Sequence, residues 1–167
     1  MATRIRQASK SDLVPLTALA RRTYADAFGH SMKPTDLAFH LKQNLAEACV
    51  ARYLETDEIL VAEDEGGLVG FVQVGKATRE SYGELVNPGD LALRRLYVRS
   101  DKQNQGIGQR LLDASLGEGV TTFLDVWEDN LRARRFYERN RFQVVGKLEF
   151  RVESNEPTGF DLVMRRS

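Results

Sequence analysis

The segment from Leu91 to Leu116 constrains the fold more than any other part of the sequence. Leu91 to Val98 is an apolar strand that runs through a polar loop directly into a helix, Gly106 to Leu116. The helix carries a stripe of Ile107, Leu111, Leu112 and Ser115, and Gly117 and Gly119 stop it. Such a junction leaves successive backbone N–H groups pointing outward at the positive end of the helix dipole. That is an anion site suited to a pyrophosphate, because Gly106 and Gly108 let a phosphate approach the backbone with no Cβ in the way. No Gly-Lys-Ser/Thr follows, so it is not a P-loop, and the third glycine of a dinucleotide fingerprint is missing.

The other elements alternate around this segment. Arg4 to Gln7 reads as a short strand, with Ser9 or Ser11 as the N-cap of the first helix. Leu13, Leu16, Ala20, Tyr24 and Ala27 share one helical stripe. Pro34 suits the first turn of a second helix bearing Leu37, Leu41 and Leu45, and Ala46 to Leu54 continues as a further helical piece. Ile59 to Ala62 and Leu68 to Val74 form a hairpin around Asp64-Glu65-Gly66-Gly67, and Lys76 to Asp90 is read as a loop. Val120 to Trp127 is a strand, and Asn130 N-caps a helix presenting Ala133, Phe136 and Tyr137 on one face. Phe142 to Val152 and Phe160 to Met164 close the chain as two strands joined by the turn-rich Ser154 to Gly159. The pattern is a mixed α/β fold with a hairpin-rich sheet.

Length and charge bound the function classes. A chain of 167 residues fits one domain, residues 1–167, with a core of its own. Its 24 basic and 24 acidic residues balance, so it carries no electrostatic footprint for nucleic acid or an anionic membrane. The one cysteine, Cys49, excludes an intramolecular disulfide framework and a Cys-rich metal site, and it reads as a small buried residue. Neither a secretory h-region nor the run of about 18 apolar residues that a membrane span needs is present, so a soluble, cytoplasmic protein is expected.

The order Gln103-x-x-Gly106-x-Gly108 after a strand, then Asn130, Ala133, Phe136 and Tyr137 at their spacing, resembles the GNAT superfamily of acetyl-CoA-dependent N-acyltransferases. The helices from Leu16 to Leu45, Val126-Trp127-Glu128 and the ending Phe160 to Met164 are similar to bacterial polyamine acetyltransferases of the PaiA type. The resemblance implies a mostly antiparallel sheet of about six to seven strands, splayed at its centre into a V-shaped cleft and flanked by about four helices. It implies acetyl-CoA as cofactor, with its pantetheine arm along Leu96, Tyr97 and Val98 and its pyrophosphate on the amides of Gln103, Asn104, Gln105, Gly106, Ile107, Gly108 and Gln109. The Gln103 side chain adds a contact to the phosphates, Asn130 contacts the pantetheine, and Ala133 and Phe136 pack on the cofactor. The Val98 N–H polarises the thioester carbonyl as an oxyanion-hole donor does, and Tyr137 protonates the departing thiolate. The plain alternative for Tyr137 is a packing role beside Phe136.

The acceptor is then a small-molecule primary amine, with polyamines first. A protein N-terminus, an amino acid or an antibiotic amine is the alternative, as is a non-catalytic acyl-CoA sensor. An alkylamine of pKa near 10.4 is only about 0.1% neutral at pH 7.4, so a proton must be removed. Many relatives place a Glu on the strand before the loop, whereas Leu91 to Arg95 holds no carboxylate. Removal through ordered water, aided by Glu128, Tyr97 or a loop acid, is the expectation. Phe28, His30, Glu84 and Trp127 are the candidate substrate residues, with His40, Asp26 and Glu80 as further possibilities. The helix from Gly106 is about one turn shorter than is usual in the family. Arg141 replaces a glycine common before Phe142, so Asn140 is expected to take the left-handed cap. Pairing of two copies through the last strands is a further expectation.

Overall fold

Sixteen residues with apolar side chains every third or fourth position start the helical part of the molecule, and short β-branched runs supply its strands. In the computed structural model, which describes residues 2–151 and 157–167, the side chains of 149–151 and 157–159 excepted, the order is β1 (Arg4–Gln7), α1 (Leu13–Phe28), α2 (Pro34–Asn44), α3 (Glu47–Thr56), β2 (Glu58–Asp64), β3 (Gly67–Lys76), α4 (Arg79–Tyr82), β4 (Leu91–Val98), α5 (Ile107–Ser115), β5 (Thr122–Trp127), α6 (Leu131–Arg139), β6 (Gln143–Arg151) and β7 (Pro157–Arg166). Val152 and the start of the turn expected from Ser154 lie outside the described residues. The fold is mixed α/β, and its seven strands are mostly antiparallel. Two compact units share it, residues 1–74 with 95–117 and residues 75–94 with 118–167, so that β4 belongs in part to each.

In the first unit, β1, β2 and β3 pair antiparallel. The hairpin closes on Gly66, whose N–H donates to Asp64 Oδ1 at 2.8 Å. One face of these strands is covered by α1, which buries Leu16, Leu19, Ala20 and Tyr24 against Val61, Phe71 and Val50. Each fully buried side chain of this kind contributes roughly 1.5–3 kcal/mol relative to staying in water. Gly70 and Phe71 are adjacent on β3, so their side-chain positions fall on opposite faces. A Cβ at Gly70 would stand 3.3 Å from Leu111 Cδ1 of α5 and 3.0 Å from the Tyr97 carbonyl oxygen. Glycine here lets β3, β4 and α5 approach closely.

In the second unit, β4 pairs with β5 in parallel, with Leu91 against Thr122 and Ala92 against Phe123. β5 pairs antiparallel with β7, and β7 with β6. Val86, Phe123 and Val163 form the centre of its core, with Tyr82 and Val145 packed on it. The stretch read as a loop, Lys76 to Asp90, holds one helical turn, α4. Thr78 caps it by accepting the Ser81 N–H at 3.2 Å, and the Tyr82 ring stacks on Phe123 at 5.5 Å.

Two local expectations are corrected. Asn140 stays right-handed, with φ −96°, and Arg141 takes the left-handed position at φ 70°. The Asn140 N–H and Nδ2 both donate back to the Phe136 carbonyl, which holds Asn140 in the last turn. The chain then reverses one residue later, and the Phe142 N–H closes the cap on the Tyr137 carbonyl at 3.0 Å. Phe142 thereby enters the core at 1% exposure. Cys49 is half-buried rather than buried, with its thiol toward the Gln43 carbonyl at 3.4 Å.

Candidate functional site

The loop between β4 and α5 is shaped by local rules. Arg99 donates its backbone N–H to Val69 O on β3 at 2.8 Å. Backbone groups alternate sides along a strand, so the N–H and C=O of Val98, and likewise of Leu96, point away from β3. The Tyr97 backbone is turned toward β3, as the closeness of its carbonyl to Gly70 requires. Leu96 and Val98 therefore offer backbone groups on the side expected for the pantetheine arm, and Tyr97 does not.

Beyond Val98, the loop carries left-handed residues at Asn104, φ 64°, and Gly106, φ 79°. Gln103 Nε2 donates to the Val98 carbonyl at 3.1 Å, so this side chain, expected on the phosphates, ties the loop back to the strand it leaves. Arg99 grips Asp101 through two nitrogens, and Lys102 reaches Asp64 at 3.3 Å. The helical ladder of α5 reaches back to Gly106 through the Arg110 N–H, so the amides of Ile107, Gly108 and Gln109 lie in the turn that has no intrahelical acceptor. Open space surrounds the position of a Cβ at Gly106.

The second motif stands in the other unit. Asn130 caps α6, its Oδ1 accepting the Ala133 N–H at 3.2 Å. Tyr137 lies edge-on to Phe136 at 5.4 Å and to Phe142 at 5.7 Å. Burial and the negative charge of Asp125 push its phenol up, so it keeps its proton throughout the physiological range.

That same unit holds a cluster that the sequence motifs did not reveal. Asp161 on β7 shares a hydrogen bond with Asp125 on β5, and the Tyr82 hydroxyl donates to Asp125 Oδ1 at 3.3 Å. Burial, the charge of Asp125 and their hydrogen bond push the Asp161 carboxyl up to about 7. The strand pairing was legible, but two acids 36 positions apart in sequence meet only through the β5–β7 register.

The substrate candidates divide as well. Phe28 packs on Tyr24 with ring centroids 4.8 Å apart, and His40 stacks on the same Tyr24 ring at 4.0 Å. His30 is exposed in the turn after α1. In the second unit, exposed Glu84 pairs with Arg79 at 3.3 Å, and half-buried Trp127 ends β5. Glu128 accepts the Phe160 N–H at 3.2 Å and faces Lys147. Asp26 pairs with Arg22 one turn away, and Glu80 lies in α4.

A family model described as an acetyltransferase (GNAT) domain matches residues 55–144. The chain belongs to this family. As a GNAT N-acetyltransferase it is an acyltransferase that takes acetyl-CoA as donor. It is 28% identical over 141 residues to an uncharacterized N-acetyltransferase in the pepI 3′ region of Lactobacillus delbrueckii subsp. lactis, covering 80% of each chain. It is 33% identical over 95 residues to the spermine/spermidine N(1)-acetyltransferase of Bacillus subtilis, covering 53% of this chain and 61% of that one. Among solved structures, a PaiA N-acetyltransferase from Thermoplasma acidophilum in complex with coenzyme A superposes with a TM-score of 0.74 at 18% identity, over 100% of this chain and 99% of that chain. The residues of this GNAT chain fit the family's cofactor on one observation of its own: Gly106, at the start of α5, has a left-handed backbone and open space around the position of a Cβ.

Proposed function

We propose that the protein acetylates a small primary amine by direct transfer from acetyl-CoA. The observation that carries this reading is the β4–α5 junction, where the Val98 N–H turns away from β3 immediately before a left-handed loop and a helix N-terminus. The bound cofactor would supply the acyl group as a thioester already activated toward an amine. The chain's part is binding and orientation. Leu96 and Val98 would hold the pantetheine by backbone hydrogen bonds, and the amides of Gly106 to Gln109 would receive the pyrophosphate. The family resemblance adds Asn130, Ala133 and Phe136 as further cofactor contacts. Holding both reactants together supplies most of the rate, through proximity and orientation. The Val98 N–H would meet negative charge developing on the carbonyl oxygen.

Two protons must move. As the new N–C bond forms and the C–S bond breaks, the amine loses one and the leaving sulfur gains one. We assign the second to Tyr137, whose buried phenol stays protonated. The first leaves through water. Glu128 is already engaged by the Phe160 N–H and Lys147, so this step is not assigned to it.

Polyamines are the acceptor class supported by the named activity of the Bacillus subtilis relative. An amine that also bears an anionic group is the second reading, favoured by the half-buried guanidinium of Arg95, which stacks on Tyr53 and bonds the neutral Gln73 amide. A homodimer in a cytoplasmic setting remains part of the proposal. The test is release of free thiol from acetyl-CoA with spermidine, spermine, amino acids, N-terminal peptides and aminoglycosides, with acetyl-CoA binding measured in the same samples. Release with a primary amine supports the reading; an absence of acetyl-CoA binding overturns it.

A further inference from the structure

Within the first unit, β4 carries Arg95 and Tyr97 on one face, beside Gln73 and Phe71 of β3. The same face is covered by the helices that bring Tyr24, His40 and Tyr53. Arg95 is half-buried. Its guanidinium lies 5.0 Å over the Tyr53 ring, and Nη1 donates to Gln73 Oε1 at 2.9 Å. Gln73, 1% exposed, spends its other end on Asp57, donating through Nε2 at 2.7 Å. Among the described residues no carboxylate lies within ion-pair distance of Arg95.

A half-buried cation held only by a neutral amide and a π face is an unusual arrangement, because buried charges are ordinarily paired. Asp57 reaches it only through the Gln73 amide. His40 lies close enough to Arg95 for that charge to bear on it, and burial with the Arg95 charge hold the imidazole near 4, so it is neutral at pH 7. With Asn44 Nδ2 donating to its Nδ1, the ring proton is assigned to Nε2, a further donor. The setting is the Arg95 guanidinium and hydrogen-bond donors among aromatic rings, with Arg52 also over the Tyr53 ring and the Asp57 carboxylate behind Gln73, three residues and therefore about 10 Å upstream of Val98 along β4.

We propose that Arg95, with His40 beside it, forms an anion subsite for the acceptor, so that the preferred amine substrate carries a carboxylate. This rests on the acetyl-transfer reading and narrows its acceptor class. An ammonium in the same place would meet an unscreened like charge, whereas a carboxylate would complete a charge-assisted, two-nitrogen pair.

The test compares matched amines that differ only by a carboxylate: L-lysine against cadaverine, and L-methionine against 3-(methylthio)propylamine. KM is measured by thiol release, and Kd by calorimetry without acetyl-CoA. The wild type is expected to favour the carboxylate member of each pair by about ten-fold or more, as one charge-assisted contact would give. Arg95→Lys should keep the direction of that preference at reduced size, since an ammonium retains the charge but not the two-nitrogen fork. Arg95→Gln should bring the ratio within about two-fold, with the melting temperature measured as the folding control. Equal affinity, preference for the diamine, or an unchanged ratio in Arg95→Gln overturns the proposal. If calorimetric preference persists while no amine is acetylated, the subsite stands and the transfer reading falls. If diamines are acetylated without preference, transfer stands and the subsite falls.

Discussion

Tyr137 and His40 are both aromatic groups whose protons are governed by burial, and they make opposite demands on pH. Tyr137→Phe keeps the ring contacts with Phe136 and Phe142 and removes only the hydroxyl. We predict a fall in kcat of about 10²–10³ with acetyl-CoA affinity unchanged, checked by steady-state kinetics and calorimetry. A loss confined to thermal stability would return Tyr137 to a packing role. His40 is held near 4 against an ordinary 6.5, so between those values the unfolded chain binds the proton and the folded one does not. Its share of stability is therefore present above pH 6.5 and lost as pH falls toward 4. Melting temperatures at pH 7.5 and pH 5 should show a steeper acid decline in the wild type than in His40→Gln. Asp161 has the reverse sign. Its carboxyl is raised from 3.8 to about 7, so the folded chain keeps a proton that the unfolded chain has released, and stability falls as pH rises through that window. Asp161→Asn can still hydrogen-bond Asp125, and it should melt higher than the wild type at pH 8 but not at pH 4.

At the scale of elements, β3, β4 and α5 meet at Gly70. Gly70→Ala would set a Cβ 3.0 Å from the Tyr97 carbonyl and 3.3 Å from Leu111, and a backbone oxygen in a paired strand has little freedom to yield. A destabilisation of about 1–3 kcal/mol is predicted, read from denaturant midpoints at constant slope. The displaced strand would also weaken acetyl-CoA binding, because Val98 and the loop follow directly from Tyr97. Elements of this kind were largely legible in the sequence. β4 has the limits its apolar run predicts, Pro34 opens α2, and Asn130 caps α6. These are local signals, set by backbone chemistry within four or five residues. Features that turn on contacts distant in sequence were not legible in it. α4 exists because Tyr82 finds Phe123, and Arg141 turns left-handed because Phe142 is drawn into the core. The Asp125–Asp161 pair and the unpaired Arg95 belong to the same class, since neither is visible until strands are in register.

For the whole molecule, equal numbers of acidic and basic residues and a pI near 6.8 leave no net repulsion between copies at neutral pH. Solubility should pass through a minimum near that pH and rise on either side, as a turbidity series would show. No helix among the described residues is long and apolar enough to cross a membrane.

The β4–α5 loop carries a thermodynamic consequence of its own. Gln103 anchors it to Val98, Arg99 and Asp101 clasp each other within it, Lys102 reaches Asp64, and two left-handed residues fix its curve. Its conformational entropy is lost when the chain folds, not when a phosphate arrives. Association at such a preorganised loop entails little rearrangement and little ordering cost, and the amides meet their anion already aligned.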